Sequence, residues 1–260
     1  MSSNLKLGDF TQMAKYYKNR PTYSLEALKL ISGYIENSMN QSIEKVADIG
    51  AGTGKLTENL SQLGFSGLAV EPNDAMREEG MKNELCERFS FQKGAAEETG
   101  LDENFAQWVL MGSSFHWTQH KDALKEFHRI LTPGGFFTAI WNPRDIEKSP
   151  LHTTIESKIH EIAPNIVRVS SGSSNNLKDV EEKLLSTNYF SDLFFVEVPF
   201  ELEMSKQRYI DTWKSVNDIQ VQAGEEKFKE ILAMIETEIS GMDSVLVPYK
   251  ARAWTVRSTK

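Results

Sequence analysis

The sequence predicts an α/β fold built on a mostly parallel sheet. Short apolar runs alternate with amphipathic helical stretches over residues 45–141. The first run, Val46–Ile49, leads into a glycine-rich turn, and a second run ends about twenty residues later in a carboxylate, Glu71. Strands that alternate with helices form parallel sheets with right-handed crossovers. These observations predict a Rossmann-like βαβ unit with a ligand site at the first turn.

The first half of the chain contains the expected elements in order. Ser24 and Asn73 are placed to cap helices, and Gly64 is placed to end the helix that lies between them. A further helix over 124–131 is expected to end at Pro133-Gly134-Gly135, before the fifth strand. The five strands of this half are expected at about residues 45–49, 67–71, 89–91, 106–111 and 136–141.

After residue 143 the pattern changes. Two helical stretches within 144–192 flank the polar run 170–176, which is either a plain solvated linker or a lid over the site. Patterns over 193–200 and 245–256 predict strands six and seven, with two amphipathic helices between them. We see no repeat and no second domain. One domain is therefore expected over 1–260, with residues 40–142 as the cofactor core and residues 1–35 and 144–240 as the cover and acceptor side.

The amino-acid composition limits the classes of partner that the protein is expected to bind. The 260 residues carry 29 basic and 37 acidic side chains, a net charge of −8, which disfavours general attraction to nucleic acids and acidic membranes. The single cysteine, Cys86, forms no internal disulfide, and the five histidines lack metal-site spacing, so no metal is expected. No apolar leader or membrane span is evident. We expect a cytoplasmic monomer or homodimer with a small-molecule partner.

The glycine spacing selects the kind of ligand. Gly50, Gly52 and Gly54 follow a G-x-G-x-G pattern, whereas dinucleotide sites use G-x-G-x-x-G and P-loops use G-x-x-x-x-G-K-[ST]. Lys55 is therefore interpreted as an ordinary helix residue. Asp48, just before the turn, would repel a pyrophosphate but attract an ammonium group. The pattern favours a cationic nucleoside without phosphates.

These motifs resemble those of class I S-adenosylmethionine-dependent methyltransferases. The resemblance rests on residues 48–54, Glu71, residues 94–97 and residues 129–135, which occur in the order and spacing of the family's motifs over about 40–142. The resemblance implies a Rossmann-like, seven-stranded, mostly parallel sheet with an antiparallel last strand, helices on both faces, and a helical cover inserted after strand five. It also implies S-adenosyl-L-methionine as cofactor and S-adenosyl-L-homocysteine as product.

Two flanking segments resemble a small-molecule branch that includes trans-aconitate methyltransferase-like enzymes. They are Phe115-His116-Trp117 and the N-terminal segment from Asp9 to Tyr23, although Ser113 replaces a glutamine common in the branch. In this interpretation Glu71 accepts from the ribose hydroxyls, and Arg20 pairs with the cofactor carboxylate. The full cofactor-binding set is Asp48, Gly50, Gly52, Gly54, Glu71, Asn73, Met76, Ala96, Glu97, Ser113, Arg20 and Tyr16.

The acceptor side is expected beyond strand four. His116 is the catalytic candidate: it either deprotonates a hydroxyl or amine, donates to a substrate carboxylate, or only holds its loop. Phe115, Trp117, Trp141 and Asn142 are the other substrate-side candidates. The expected reaction is in-line methyl transfer to an O or N atom of a small molecule. Three alternatives remain open: an RNA or protein acceptor, a regulatory protein that binds the cofactor without turnover, and nicotinamide-dependent oxidoreduction, with which the glycine spacing conflicts.

Overall fold

The computed structural model describes residue 11 and residues 14–168 and 177–260, and its centre is a seven-stranded sheet. The strand order is β3-β2-β1-β4-β5-β7-β6, and β7 runs antiparallel to both of its neighbours. This arrangement confirms the predicted mostly parallel sheet with an antiparallel last strand. The strands β1 to β7 are Val46–Ile49, Gly67–Val70, Phe89–Gln92, Ala106–Gly112, Leu131–Trp141, Phe190–Ser205 and Ser244–Ser258.

Helices cover both faces of the sheet. Alternate residues of the central strands pack on opposite sides: Val46 and Trp108 lie in one apolar cluster, while Ala47 and Val109 lie in another. Such two-sided burial is why these strands have almost no polar side chains. The α-helices α1 to α9 are Ala14–Tyr17, Leu25–Met39, Lys55–Gln62, Asp74–Met81, His120–Ile130, Pro150–Ile162, Val180–Leu184, Lys206–Lys214 and Asn217–Glu238.

The predicted helix ends are confirmed. The Ser24 side chain accepts from the Ala27 amide at 3.3 Å, and the Asn73 side chain accepts from the Met76 amide at 3.1 Å. Gly64 adopts a φ of +91° just past α3, a left-handed conformation that favours glycine at a helix end. None of the described helices is long and apolar enough to cross a membrane.

The predicted turn before the fifth strand is wrong. β5 begins at Leu131, directly after α5, so the Pro-Gly-Gly segment lies inside the strand. Ala106 pairs with Leu131 while Trp108 pairs with Phe136, so residues 132–135 bulge out of the ladder. Gly134 permits this bulge with a φ of +72°. The glycines indicated a change of direction, but not that pairing resumes on both sides of it.

A second layer of helices covers one end of the sheet. α6 follows β5, as predicted, while α8 and α9 lie between β6 and β7. Their apolar faces form a cluster of their own, which includes Ile155, Trp213 and Ile235. The polar run 170–176, interpreted as a linker or a lid, lies outside the described residues.

Candidate functional site

A cavity of about 460 Å³ lies at the carboxyl ends of the central strands, beneath the helical cover. Ligands bind at this edge in open α/β sheets because the strand order changes direction there. Most of the residues selected from the sequence meet in this cavity. They are Arg20, Asp48, Gly50, Gly52, Glu71, Asn73, Met76, Ala96, Glu97, Ser113, His116, Trp117 and Asn142.

The glycine turn forms a wall without side chains. Gly50 and Gly52 have φ values of +68° and +59°. A Cβ on Gly50 would lie 2.8 Å from the Ser114 Oγ, closer than such atoms pack. Gly54 does not line the cavity: it precedes α3 and packs where a Cβ would meet the Cys86 Sγ at 2.8 Å. Gly54 therefore allows close packing at the start of α3, whereas the sequence suggested a contact with the cofactor.

Glu71 joins the first turn to the start of α4. Its Oε2 accepts from the Gly52 amide at 2.8 Å, and its Oε1 accepts from the Asn73 amide at 2.9 Å. Burial raises the pKa of the carboxyl, and the two amide donors oppose that rise. A carboxylate oxygen has more than one lone pair, so both oxygens can still accept from hydroxyl groups in the cavity. These bonds to the turn were not evident from the sequence.

Asp48 is fully buried at the base of the turn. Its Oδ2 accepts from the Thr57 hydroxyl of α3 at 2.6 Å. Its Oδ1 has no hydrogen-bond partner among the residues that the structure describes. Burial raises the pKa of Asp48 to about 7, with the Thr57 bond opposing and the nearby Glu71 charge adding to the rise. A cationic group in the cavity would restore the ionised form. Thr57 was missed because no sequence motif marks it.

His116 lies between the two ends of the cavity, in a 3₁₀ turn after β4. Its Nδ1 accepts from the Trp141 Nε1 at 3.4 Å, so the proton of the neutral ring resides on Nε2. That Nε2 is buried and has no hydrogen-bond partner within the described part of the chain. Burial, reinforced by the Lys183 charge, lowers the pKa of His116 to about 4. The ring is therefore neutral at physiological pH and presents a donor.

Two substrate-side candidates lie behind His116 rather than in the cavity. Trp141 is fully buried and Phe115 is 2% exposed, and both belong to the apolar cluster on one face of the sheet. Their apolar side chains suggested a pocket wall, but they pack in the core of the protein. Trp117, by contrast, is 47% exposed and lines the cavity.

The N-terminal segment ties the cover to the sheet. The Arg20 Nε donates to the Ser215 Oγ at 2.5 Å, and its Nη2 donates to the Ser215 carbonyl at 2.9 Å. The Tyr23 hydroxyl donates to the Ser113 Oγ at 2.9 Å. Tyr16 does not line the cavity: it packs beside Lys214, and Tyr17 takes the lining position.

The far side of the cavity is polar, and sequence reasoning missed it. Arg144, Glu156, Arg168, Asp218 and Tyr249 all line it. The Arg168 Nη1 donates to both oxygens of Glu156, at 2.7 and 2.8 Å, and its Nε donates to Asp218 at 3.2 Å. These residues come from α6, α9, β7 and the segments that flank α6, and no motif connects them.

Comparison with known proteins identifies the core. Residues 47–139 match the methyltransferase domain family model. An uncharacterized methyltransferase of Mycobacterium tuberculosis is 32% identical over 142 residues, which cover 55% of each protein. One of Schizosaccharomyces pombe is 30% identical over 141 residues, 52% of each. The chain thus spans about half the length of the curated relatives it matches.

Solved structures agree on the fold. A chain from Anaeromyxobacter dehalogenans described as a type II methyltransferase superposes with a TM-score of 0.64, at 17% identity, over 91% of this chain and 97% of its own. One from Anabaena variabilis, described as a methyltransferase from an antibiotic biosynthesis pathway, has a TM-score of 0.52 and 18% identity, over 88% and 96%. At such identities the likeness concerns the fold. Residues 47–139 are therefore similar to the methyltransferase domain family, and the chain has the Rossmann-like fold of these methyltransferase structures.

Proposed function

We propose that the protein is an S-adenosylmethionine-dependent methyltransferase that acts on an O or N atom of a small molecule. The observation that carries the proposal is the acidic, side-chain-free end of the cavity. Asp48 and Glu71, two buried carboxyl groups, flank a turn on which no Cβ fits at Gly50. A nucleoside with an ammonium group fits this arrangement, whereas a pyrophosphate would be repelled.

The residues present fit the parts of the cofactor. Glu71 accepts from the ribose hydroxyls, and Asp48 presents its unpartnered Oδ1 to the ammonium group. Asn73 and Met76, together with Ala96 and Glu97, supply the wall for the adenine ring. When bound, the cofactor supplies a methyl group on a sulfonium, which is a good leaving group. The protein needs no catalytic dyad for such a displacement.

The chain contributes positioning and exclusion of water. The His116 Nε2–H donates to the acceptor molecule and orients it, because the Trp141 bond occupies Nδ1. In this role His116 orients the acceptor and does not remove a proton from it. The Arg20–Ser215 bonds hold the N-terminal segment against the cover helices, which limits the access of water to the cavity. Alignment of two reactants accounts for about 7–11 kcal/mol of barrier lowering in favourable cases.

A small acceptor suits the size and charge of the site. A cavity of about 460 Å³ falls in the range typical of small-ligand pockets, roughly 300–1,000 Å³. The excess of acidic over basic residues, 37 against 29, gives no general attraction for RNA. A regulatory protein that binds the cofactor without turnover is an outcome that the experiment below separates.

Calorimetry with S-adenosylmethionine and S-adenosylhomocysteine tests the proposal first. Both ligands are expected to bind, while NADH is not. The second step incubates the protein with cofactor carrying a deuterated methyl group and a metabolite mixture, and mass spectrometry detects labelled products. Absence of binding at millimolar concentration would refute the cofactor. Cofactor binding without any labelled product would favour a regulatory protein that binds the cofactor without turnover. Label in RNA or protein would show that the acceptor is a macromolecule and not a small molecule.

A further inference from the structure

Arg144 occupies the end of the cavity opposite Glu71. It follows β5, and its backbone forms a β-bridge with Tyr249 of β7. Glu71 follows β2, and β1 and β4 lie between β2 and β5 in the sheet. Three strand spacings of about 4.8 Å place the two residues roughly 14 Å apart along the edge of the sheet. His116, which follows β4, lies between them.

The other cationic side chains of the cavity already have partners. Arg168 pairs with Glu156 and Asp218, and Lys55 pairs with Glu58 at 2.9 Å. Arg20 donates both of its described bonds to Ser215. These groups are held in fixed positions by the protein itself. Their presence in the wall therefore does not require a charged ligand.

Arg144 differs from Arg168 and Lys55, because no described carboxylate lies within 4.0 Å of it and its polar neighbours include the hydroxyl groups of Tyr249 and Tyr209. The nearby Glu156 has both carboxylate oxygens bound to Arg168. The adjacent Asp145 pairs with Lys148 and Lys250. Within the stretches that the structure does not describe, 1–10, 12–13 and 169–176, the sequence contains a single carboxylate side chain, Asp9.

The surroundings of Arg144 prepare it to bind a planar anion. Its Cζ lies 4.1 Å from the centre of the Trp213 ring, so the aromatic face supports the guanidinium. Trp213 and Tyr249 are themselves buried, which keeps water from screening the charge. An arginine retains its proton in proteins, and a half-buried cation without a counter-charge favours the approach of an anion. The planar guanidinium matches the two oxygens of a carboxylate or phosphate.

We infer that Arg144, supported by Trp213, is an anion-binding subsite, and that the methyl acceptor carries a carboxylate or phosphate group at the end remote from the cofactor. This inference rests on the proposed function, because it names the acceptor class of the same cavity. It also assigns the acceptor's orientation. The anion contacts Arg144, and the nucleophilic atom of the acceptor lies nearer to His116 and the glycine turn.

Binding of small probe anions tests the subsite without knowledge of the acceptor. Benzoate, inorganic phosphate and the neutral isostere benzamide are titrated into the protein with and without S-adenosylhomocysteine, and tryptophan fluorescence reports occupancy beside Trp213. At least one of the two anions is expected to bind in the millimolar range, and benzamide at least ten-fold more weakly than benzoate. Comparison of benzoate with phosphate distinguishes a carboxylate from a phosphate acceptor.

Arg144→Gln is expected to weaken anion binding at least ten-fold, since the charge-assisted bonds are lost. Arg257→Gln is the matched control, because Arg257 also lies over an aromatic ring, Phe136, but does not line the cavity. It should bind the anions as the wild type does. S-adenosylhomocysteine affinity should be unchanged in both variants.

Three results would overturn the subsite: neither anion binds the wild type at 50 mM, which is roughly fifty-fold above a millimolar constant; benzamide binds as well as the tighter of the two anions; or Arg144→Gln leaves the affinity for both anions unchanged. If that variant does not fold, Arg144→Lys replaces it, because lysine keeps the charge and loses the planar fork. It should weaken benzoate binding about three-fold or more, and unchanged binding would count against the subsite. Failure of S-adenosylhomocysteine binding, in contrast, would contradict the proposed function and leave anion binding measurable.

Discussion

The two ends of the cavity are built in different ways. The end at Asp48 and Glu71 consists of residues at the carboxyl ends of the neighbouring strands β1 and β2, within a span of 24 positions of the sequence. The end at Arg144 and Tyr249 joins residues that lie 105 positions apart. The first end is acidic and built around backbone amides, whereas the second contains cationic and aromatic side chains. A site built from local turns is visible in a sequence, and one assembled from distant helices is not.

The largest expected effect comes from the glycine turn. In Gly50→Val the new residue would hold a φ of +68° with its Cβ 2.8 Å from the Ser114 Oγ. The turn must move, and strain of roughly 1–3 kcal/mol at such positions corresponds to about 5- to 150-fold weaker S-adenosylhomocysteine binding by calorimetry.

Gly33→Ala is the matched control for this variant. Gly33 lies inside α2 with nothing within 4 Å of an added Cβ. It should bind normally and gain about 0.5–1 kcal/mol in the free energy of unfolding. Normal S-adenosylhomocysteine binding by Gly50→Val would show that the turn does not face the ligand. The acidic end of the cavity would then not be the cofactor site.

Glu71→Ala tests the second element of the acidic end. The variant loses the acceptor for the Gly52 and Asn73 amides as well as the charge. Charge-assisted bonds of roughly 1.5–3 kcal/mol predict S-adenosylhomocysteine binding weakened about ten-fold or more. Asp74→Ala is the control, because that neighbouring carboxylate is exposed and pairs with Arg77 and Lys93. Equal affinities in the two variants would place the ligand elsewhere.

His116 lies between the two ends, so its replacement should separate turnover from cofactor affinity. His116→Ala removes one neutral hydrogen bond, of roughly 0.5–1.5 kcal/mol, and should lower kcat up to about ten-fold with S-adenosylhomocysteine affinity unchanged. Trp141→Phe, which frees Nδ1, should have a smaller effect of the same kind. His160→Ala, on the exposed side of α6, should have none.

The pH dependence of turnover sharpens the same assignment. Because the pKa of His116 is lowered to about 4, its ring stays neutral from pH 5.5 to 8. The pH profile of kcat should therefore show no inflection near the ordinary histidine pKa of about 6.5 that is present in the wild type and absent in His116→Ala. Such an inflection in the wild type alone would return His116 to the role of a general base.

Asp48 predicts the smallest effect, a dependence of cofactor affinity on pH. The ligand-free protein holds this carboxyl at a pKa of about 7, above its unfolded value of 3.8. Protonation therefore favours the ligand-free fold below about pH 4, and that contribution is lost as the pH rises to 7. An ammonium group requires the ionised form, so affinity should rise about three-fold between pH 6.5 and 7.5.

Calorimetry in MES and Bis-Tris buffers measures this coupling, because the two buffers differ in ionisation enthalpy and proton release therefore changes the observed heat. Release of up to one proton is expected near pH 6. Asp48→Asn should remove both the release and the pH dependence. A variant that retains the wild-type dependence would assign the titration to another group.

Much of the fold was predictable because its signals are local. Ser24, Asn73 and Gly64 mark helix ends through bonds within four residues, and these predictions are confirmed. The turn before β5 was predicted wrongly, because a bulge and a turn share the same glycines. Only the pairing of Leu131 with Ala106 and of Phe136 with Trp108, on either side of the glycines, distinguishes them. Tyr16, Phe115 and Trp141 lie outside the cavity for a related reason. An aromatic residue beside a site and one that packs behind it have the same sequence signal.

By itself the sequence determined the order of strands and helices, the glycine turn and the acids at the carboxyl ends of β1 and β2. These features depend on hydrophobic periodicity and on backbone conformations that glycine favours, both of which act over short distances along the chain. Only the tertiary structure decided that Glu71 binds the turn, that Trp141 orients His116, and that Arg144 faces the cavity without a carboxylate partner among the described residues. Each of these depends on the distance between side chains that folding brings together, and no local pattern encodes that distance.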